Sequence, residues 1–198
     1  MTDPSDPTTS PDQPGPHDLT GPPDPYELRP AGLADLDGAR GVMLDALYHD
    51  LGYGYRPEWH ADVIDPEGAY LREPRHALFV AVRDGRVVAT TGVRAAAPHS
   101  PPHPAWIARR YPAPGTAQLF RVYVRPGHRR HGLARRLVGL ARAFVAATPG
   151  YERLYLHTDT RVPGAEAFWA AIATRVHDAF PAAHFEIPLT GPSPAASR

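Results

Sequence analysis

The chain has 198 residues, 21 basic and 21 acidic side chains, 25 prolines, 17 glycines and no cysteine, and every basic residue is an arginine. These counts exclude catalysis through lysine, a disulfide framework, a thiolate metal site and a cysteine nucleophile. At roughly 100–200 residues per domain, the length fits one domain with a tail.

Residues 1–25 hold eight Pro, five Asp and no Arg. They lack the positive start and apolar centre of a secretory signal, which predicts a cytoplasmic protein. Having almost no large apolar side chain, they cannot offset their ordering entropy and read as a disordered tail. Residues 190–198 share that composition and read as a flexible C-terminal tail, leaving 26–189 as the folded domain. The mean hydropathy is −0.37, and no apolar run approaches the roughly 18 residues of a membrane-spanning helix, so no membrane partner is expected.

Tyr26–Arg29 alternates and ends at Pro30, predicting a short strand. Leu33, Leu36, Ala39, Met43, Leu44 and Leu47 then fall at helical spacing. Gly52–His60, rich in aromatic and polar groups, reads as a loop or broken helix. Such a segment lines a pocket or simply packs on the surface. Ala77–Arg83 and Arg86–Val93 flank Asp84-Gly85, a hairpin signal. A Pro-rich excursion through Pro101, Pro102, Pro104, Pro112 and Pro114 precedes a partly buried strand, Ala117–Val124. From Arg129, the residues Leu133, Leu137, Leu140, Ala141 and Phe144 predict a helix to Ala147, ending before Pro149-Gly150. Leu154–His157 reads as a strand. Pro163 is placed to open a helix through Phe168, Trp169 and Ile172, with Asp159 or Thr160 as its cap. The last strand, His184–Leu189, is expected near an edge because Pro188 cannot donate to a ladder. This order predicts an α/β or α+β sandwich around a central, mostly antiparallel sheet with helices on both faces.

The neutral total hides an asymmetry: residues 85–151 contain eleven Arg and no acid. The block is sharpest at Arg121–Arg136, and such potential favours a polyanion. It can serve nucleic acid, a nucleotide-cofactor phosphate or a solvated helix face. The pI near 7.2 and the lack of arrayed aromatic platforms argue against nucleic acid. Gly127 and Gly132, standing between a strand and a helix, favour phosphate, because a helix start presents unpaired N–H groups to an anion.

The run Arg129-Arg130-His131-Gly132-Leu133-Ala134, preceded by Arg121-Val-Tyr-Val-Arg-Pro126, resembles the cofactor motif of the GNAT superfamily of acyl-coenzyme-A-dependent N-acyltransferases. The flanking hairpin and the later strand and helix extend the resemblance to nearly all of 26–189. It implies a GNAT-like mixed sheet whose two parallel strands splay at the cofactor, with acetyl-CoA as acyl donor. Val122, Tyr123 and Val124 would pair with its pantetheine arm, and Arg129, Arg130, His131, Gly132, Leu133 and Ala134 would hold the pyrophosphate. The acceptor would be an amine of a small molecule or an exposed protein amine, and the protein a monomer or homodimer.

The chain departs from that pattern where many members carry a catalytic Glu, here Gln118, and an Asn and a Tyr, here Val162 and Trp169. An alkylamine with a pKa near 10.4 needs a base or a desolvating pocket. His157 and Asp159 are the candidate bases, with Glu166, His60 and Asp62 behind them. A hydrogen-bonded core histidine and a helix cap are the structural alternatives for the first two. By the resemblance, the Val124 N–H polarises the carbonyl. Tyr155 or water is the candidate thiol acid, Tyr155 otherwise packing in the sheet. Ser100 is the one serine of 26–189, so direct attack in a ternary complex is favoured over a covalent route. The histidine pairs His99/His103 and His128/His131 lack further ligands at diagnostic spacing, so no metal is expected. Phe168-Trp169 and Gly52–Tyr55 are candidates for an acceptor pocket, the helix pair reading also as core. A catalytically weak acyl-CoA-binding module is the alternative function, followed by an Arg-rich nucleic-acid-associated protein.

Overall fold

The computed structural model describes residues 24–189. The tails expected at 1–25 and 190–198 therefore lie outside the described residues, apart from Asp24 and Pro25. The Asp24 carboxylate accepts from the Tyr26 N–H at 3.0 Å and pairs with Arg136 at 2.6 Å, tying the start of the described chain to the basic block.

Asp84 and Gly85 both take positive φ, 50° and 72°, the tight-turn geometry that matches strand twist. They join β2 (Ala77–Arg83) to β3 (Arg86–Ala95), as the Asp-Gly signal predicted. Around this hairpin a seven-stranded sheet is built. Its order is β1 (Glu27–Pro30), β2, β3, β4 (Thr116–Val124), β5 (Arg153–Asp159), β7 (Ala182–Ile187) and β6 (Thr174–Ala179). Only β4 and β5 run parallel; the other neighbours are antiparallel.

On one face lies α5 (Leu133–Ala147). Its Leu133, Leu137, Val138, Ala141 and Val145 are buried against Val93, Leu119, Leu154, Leu156 and Phe185 of the sheet. Each fully buried leucine there contributes roughly 1.5–3 kcal/mol of transfer free energy. Trp169 of α6 (Ala165–Ala170) joins this core, so the structure places it in the packing rather than in a pocket. On the opposite face sit α1 (Leu36–Asp45), α2 (Pro57–Ile64) and α3 (Pro66–Tyr70), packed on Leu78, Val80, Val82 and Val87. Tyr70 lies so close over Gly92 that a Cβ there would stand 2.5 Å from its ring. Glycine is what lets α3 reach the sheet. The Pro-rich excursion contains a short helix the sequence did not announce, α4 (Ala105–Arg110), whose Ile107 packs with Tyr111 and Tyr155.

Three expectations are corrected. The last strand is not at an edge: β7 lies between β5 and β6, and Pro188 falls one residue beyond its end, where no donor is needed. The strand that does take the edge, β6, comes after Ala173 and was missed because its burial is weak and irregular. The helix after β5 begins at Ala165 with Gly164 in left-handed conformation before it, so neither Asp159 nor Thr160 caps it, and it ends at Ala170. Likewise α5 starts at Leu133, with a 3-10 turn at Pro126–His128 and Gly132 at φ 71° ahead of it. No helix among the described residues is long and apolar enough to cross a membrane.

Candidate active site

Only Thr116–Gln118 of β4 pairs with β5, against Arg153–Tyr155. Beyond them β4 continues to Val124 along β3, while β5 continues to Asp159 along β7. The two strands therefore part, leaving a wedge whose walls are backbone. A register shift in the β3–β4 pairing accompanies the parting, and Arg121 there has φ 51°. An irregular residue of this kind bends a strand and re-aims the residues after it. The Arg125 N–H donates to Val88 O at 2.9 Å, so the alternation of an antiparallel ladder turns the N–H groups of Val122 and Val124 the other way, into the wedge. The Val124 carbonyl faces the same gap and accepts from Arg129 Nε at 3.0 Å.

At the mouth of the wedge, Arg130 and Gly132 both adopt φ near 70°. Among the described residues, no acceptor meets the backbone N–H of Arg130, His131, Gly132, Leu133 or Ala134. Alternating left-handed residues at a helix start concentrate such donors into an anion-binding concavity. A Cβ built on Gly132 would meet nothing within 4 Å, so the approach to these donors is open. The site therefore suits a pyrophosphate through its backbone more than through its arginines. Arg129 is spent on Asp50 at 2.5 Å, and Arg125 is paired with Asp45. Beside this segment a groove of about 270 Å³ runs between Ala46–Asp50 and Tyr123–Pro126. Its wall is the turn after α1, where the Leu51 N–H reaches back five residues to Ala46 O at 2.9 Å.

Deeper in, on the face carrying α2 and α4, side chains from five separate segments meet. Gln118 is buried, and its Nε2 lies 3.4 Å from His157 Nδ1. The His157 ring centroid is 4.3 Å from that of His103, which is 5.0 Å and nearly perpendicular to that of His184. His157 is accessible to solvent in the open cleft yet crowded by protein. That desolvation, followed by His103, His184 and Arg121, holds its imidazole below the ordinary histidine range. Burial and the charges of His103 and His177 bring His184 down to about 4. Tyr155 is fully buried, its burial pushes the phenol up, and its hydroxyl lies 2.7 Å from His184 Nδ1. The direction of this hydrogen bond is set by the His184 tautomer, and the other ring nitrogen, Nε2, is buried with no partner among the described residues.

The other expected residues divide. Asp159 ends β5 and accepts from the Arg161 N–H at 2.9 Å. The Arg161 side chain is also paired with it, at 2.6 Å, and together they hold its carboxyl below the usual range. Asp62 is buried: desolvation pushes it up, but Arg121 at 2.6 and 2.9 Å and the Tyr70 hydroxyl at 2.5 Å outweigh that and lower it. His60 Nδ1 accepts from the Arg56 N–H at 2.9 Å. Glu166 pairs with Arg175 on α6 and β6, apart from the wedge. From the Gly52–Tyr55 loop, Tyr53 stacks on His60, and burial, followed by Tyr123, pushes its phenol up to about 12. His103, His184 and the Asp62–Arg121 pair escaped sequence reading as a cluster, since nothing local links them. The alternation of His184 with Phe185 and of His177 with Val176 was their one visible trace. Among the described residues no group of three or more His, Asp or Glu converges as a metal site.

The sequence matches the model of the acetyltransferase (GNAT) family over residues 44–172. No curated protein matches it. Among solved structures, an acetyltransferase of the GNAT family from Staphylococcus aureus aligns with a TM-score of 0.65 at 11% identity, covering 83% of this chain and 99% of its own. The PaiA N-acetyltransferase of Thermoplasma acidophilum, in complex with coenzyme A, aligns at 0.56 and 13%, covering 82% and 98%. YncA of Salmonella typhimurium, with its cofactor acetyl-CoA, aligns at 0.57 and 14%, covering 87% and 100%. These likenesses show that the fold is shared.

Proposed function

The chain belongs to the GNAT acetyltransferase family, and from that premise we propose that it moves an acetyl group from acetyl-CoA to an amine of a small molecule or an exposed protein amine. The observation that carries this reading is the wedge between β4 and β5, closed at its mouth by five acceptor-free N–H groups from Arg130 to Ala134. Val122, Tyr123 and Val124 hold the pantetheine arm along the free strand edge, and the loop with Arg129 and Arg130 holds the pyrophosphate. The bound donor supplies an activated acetyl thioester.

The chain's own residues then have three tasks. The Val124 N–H, fixed in the strand and turned into the wedge, donates to the thioester oxygen and stabilises the charge that develops there. His157 takes the proton from the attacking amine. With the Gln118 amide turned so that Oε1 faces it, Nδ1–H donates to that oxygen and Nε2 keeps its lone pair. Desolvation keeps His157 unprotonated at neutral pH but also weakens it as an acceptor, so it takes the proton only as the amine attacks, when the new N–C bond has made that N–H acidic. Asp159, already paired with Arg161, acts on the electrostatics of the cleft and not as the first proton acceptor. The thiolate takes its proton from water in the open cleft, because the Tyr155 hydroxyl is committed to His184. Attack is direct, with donor and amine bound together, in a cytoplasmic enzyme working as monomer or homodimer.

Titration of acetyl-CoA into the protein by calorimetry, followed by a thiol-release screen over mixed amines, tests this. Micromolar binding with thiol release is expected. Absence of binding would remove the reading. Binding without release for any amine would leave an acyl-CoA-binding module, which the replacement of a carboxylate by Gln118 favours as the second reading.

A further inference from the structure

We infer that the acceptor amine also carries a carboxylate, and that Arg94 is the side chain that takes it. This rests on the transferase reading above and names the substrate class of that same site. Arg94 of β3 stands directly opposite Gln118 of β4, so the two share the face on which Gln118 meets His157. Its guanidinium carbon lies 5.2 Å from the Phe120 ring centroid. The residue is half-buried, its Nε is cut off from solvent without a partner, and none of its N–H groups meets a protein acceptor among the described residues.

Every other charge facing this spot is accounted for. Asp62, whose carboxyl feels Arg94, already accepts three hydrogen bonds, two from Arg121 and one from Tyr70. His76, on the far side, is held below the ordinary histidine range first by burial, and its Nδ1 is 2.8 Å from Ala69 O. The Phe120 ring face and the nearby Asp62 carboxylate balance the charge of this half-buried guanidinium but leave its N–H donors unused. The planar fork is complementary to a carboxylate, which would occupy two donors at once. No acid on this face is free to hold a second ammonium: Asp62 is bound by Arg121, Asp159 by Arg161, and Glu186, opposite Tyr155, by the Tyr111 hydroxyl. The face is thus built against a diamine and for an amino acid. Arg94 lies two strands from Tyr155, about 10 Å between backbones, and His157 stands two residues further along β5 where the strands part, so the longer span is closed by an amino carboxylate together with the reach of the Arg94 and His157 side chains.

The test is a thiol-release panel of the free α-amino acids, β-alanine and 4-aminobutyrate. Each is set against its carboxamide, and 1,4-diaminobutane is included. At least one amino carboxylate is expected to exceed its carboxamide by roughly 10–100-fold in kcat/KM, the range of a charge-assisted hydrogen bond. Arg94→Gln should collapse that ratio toward one, mainly through KM, and Arg94→Lys should restore part of it. Acetyl-CoA affinity and thermal midpoint serve as folding controls. Carboxylates and carboxamides turned over equally, or an Arg94→Gln loss shared equally by both, would overturn the inference. Should no amine turn over while acetyl-CoA binds, calorimetric binding of the same amino carboxylates decides it separately. Binding lost in Arg94→Gln upholds the carboxylate site, and no binding overturns it.

Discussion

The two sides of the candidate site are made in opposite ways. The cofactor wall is one continuous stretch, Val122 to Ala134, whose donors are backbone and whose shape comes from Arg130 and Gly132 at positive φ. The acceptor wall is assembled from Arg94, His103, Gln118, His157 and His184, which belong to four strands and a Pro-rich connection. A continuous wall built of main chain tolerates side-chain change and is lost only when its dihedrals or its open approach are altered. An assembled wall depends on each side chain and on the sheet that brings them together. Of the positions where the sequence departs from the family pattern, Gln118 falls on the second kind, while Trp169 lies in the core.

That contrast is broken most strongly at His157. His157→Ala is expected to lower kcat by about 10²–10⁴, the usual contribution of a positioned base, while leaving acetyl-CoA affinity unchanged. Turnover equal to the parent would shift the proton to Asp159 or to desolvation of the amine. On the cofactor wall the reverse split is expected. Gly132→Leu forces a branched side chain into left-handed backbone and across the open donors, and should weaken acetyl-CoA by about 100-fold in calorimetry. Because a Cβ there meets no neighbour, the fold should survive with a cost of about 1–2 kcal/mol. Unchanged affinity would sink the assignment of the phosphate loop.

The smallest effect sharpens the acceptor wall through pH. His184 is lowered to about 4 by burial and by its histidine neighbours, so the folded protein refuses a proton that the unfolded chain takes up near pH 6.5. Stability therefore falls as pH drops from 6.5 toward 4, by up to about 1.4 kcal/mol per pH unit for each such histidine. Urea midpoints at pH 7, 6 and 5 should show the decline, and His184→Gln should make it shallower. An identical slope in the variant would show that His184 titrates normally.

Legibility in the sequence was set by range. The hairpin at Asp84-Gly85, the apolar stripe of α5 and the strand–glycine–helix order of the cofactor wall are local patterns. Dihedral preference and periodicity act within a few residues, so they are written in the chain. His157 and Gln118 could be named as individuals because the family motif fixes their strands.

Their company could not. Whether a histidine is base, core or bystander depends on what faces it. His103 and His184 reach His157 only because β7 inserts between β5 and β6 and the segment before α4 folds over them. Arg121 looked like one more member of a basic run, yet tertiary packing buries it against Asp62, 59 residues away in sequence. Arg94 looked the same and meets no hydrogen-bond acceptor among the described residues. The sequence by itself determined most of the elements and the family, since these rest on local sterics, periodicity and hydrogen bonding, though not β6 or α4. The tertiary structure alone decided which charges are neutralised and which are free, because pairing and desolvation are set by distances that the chain order does not contain.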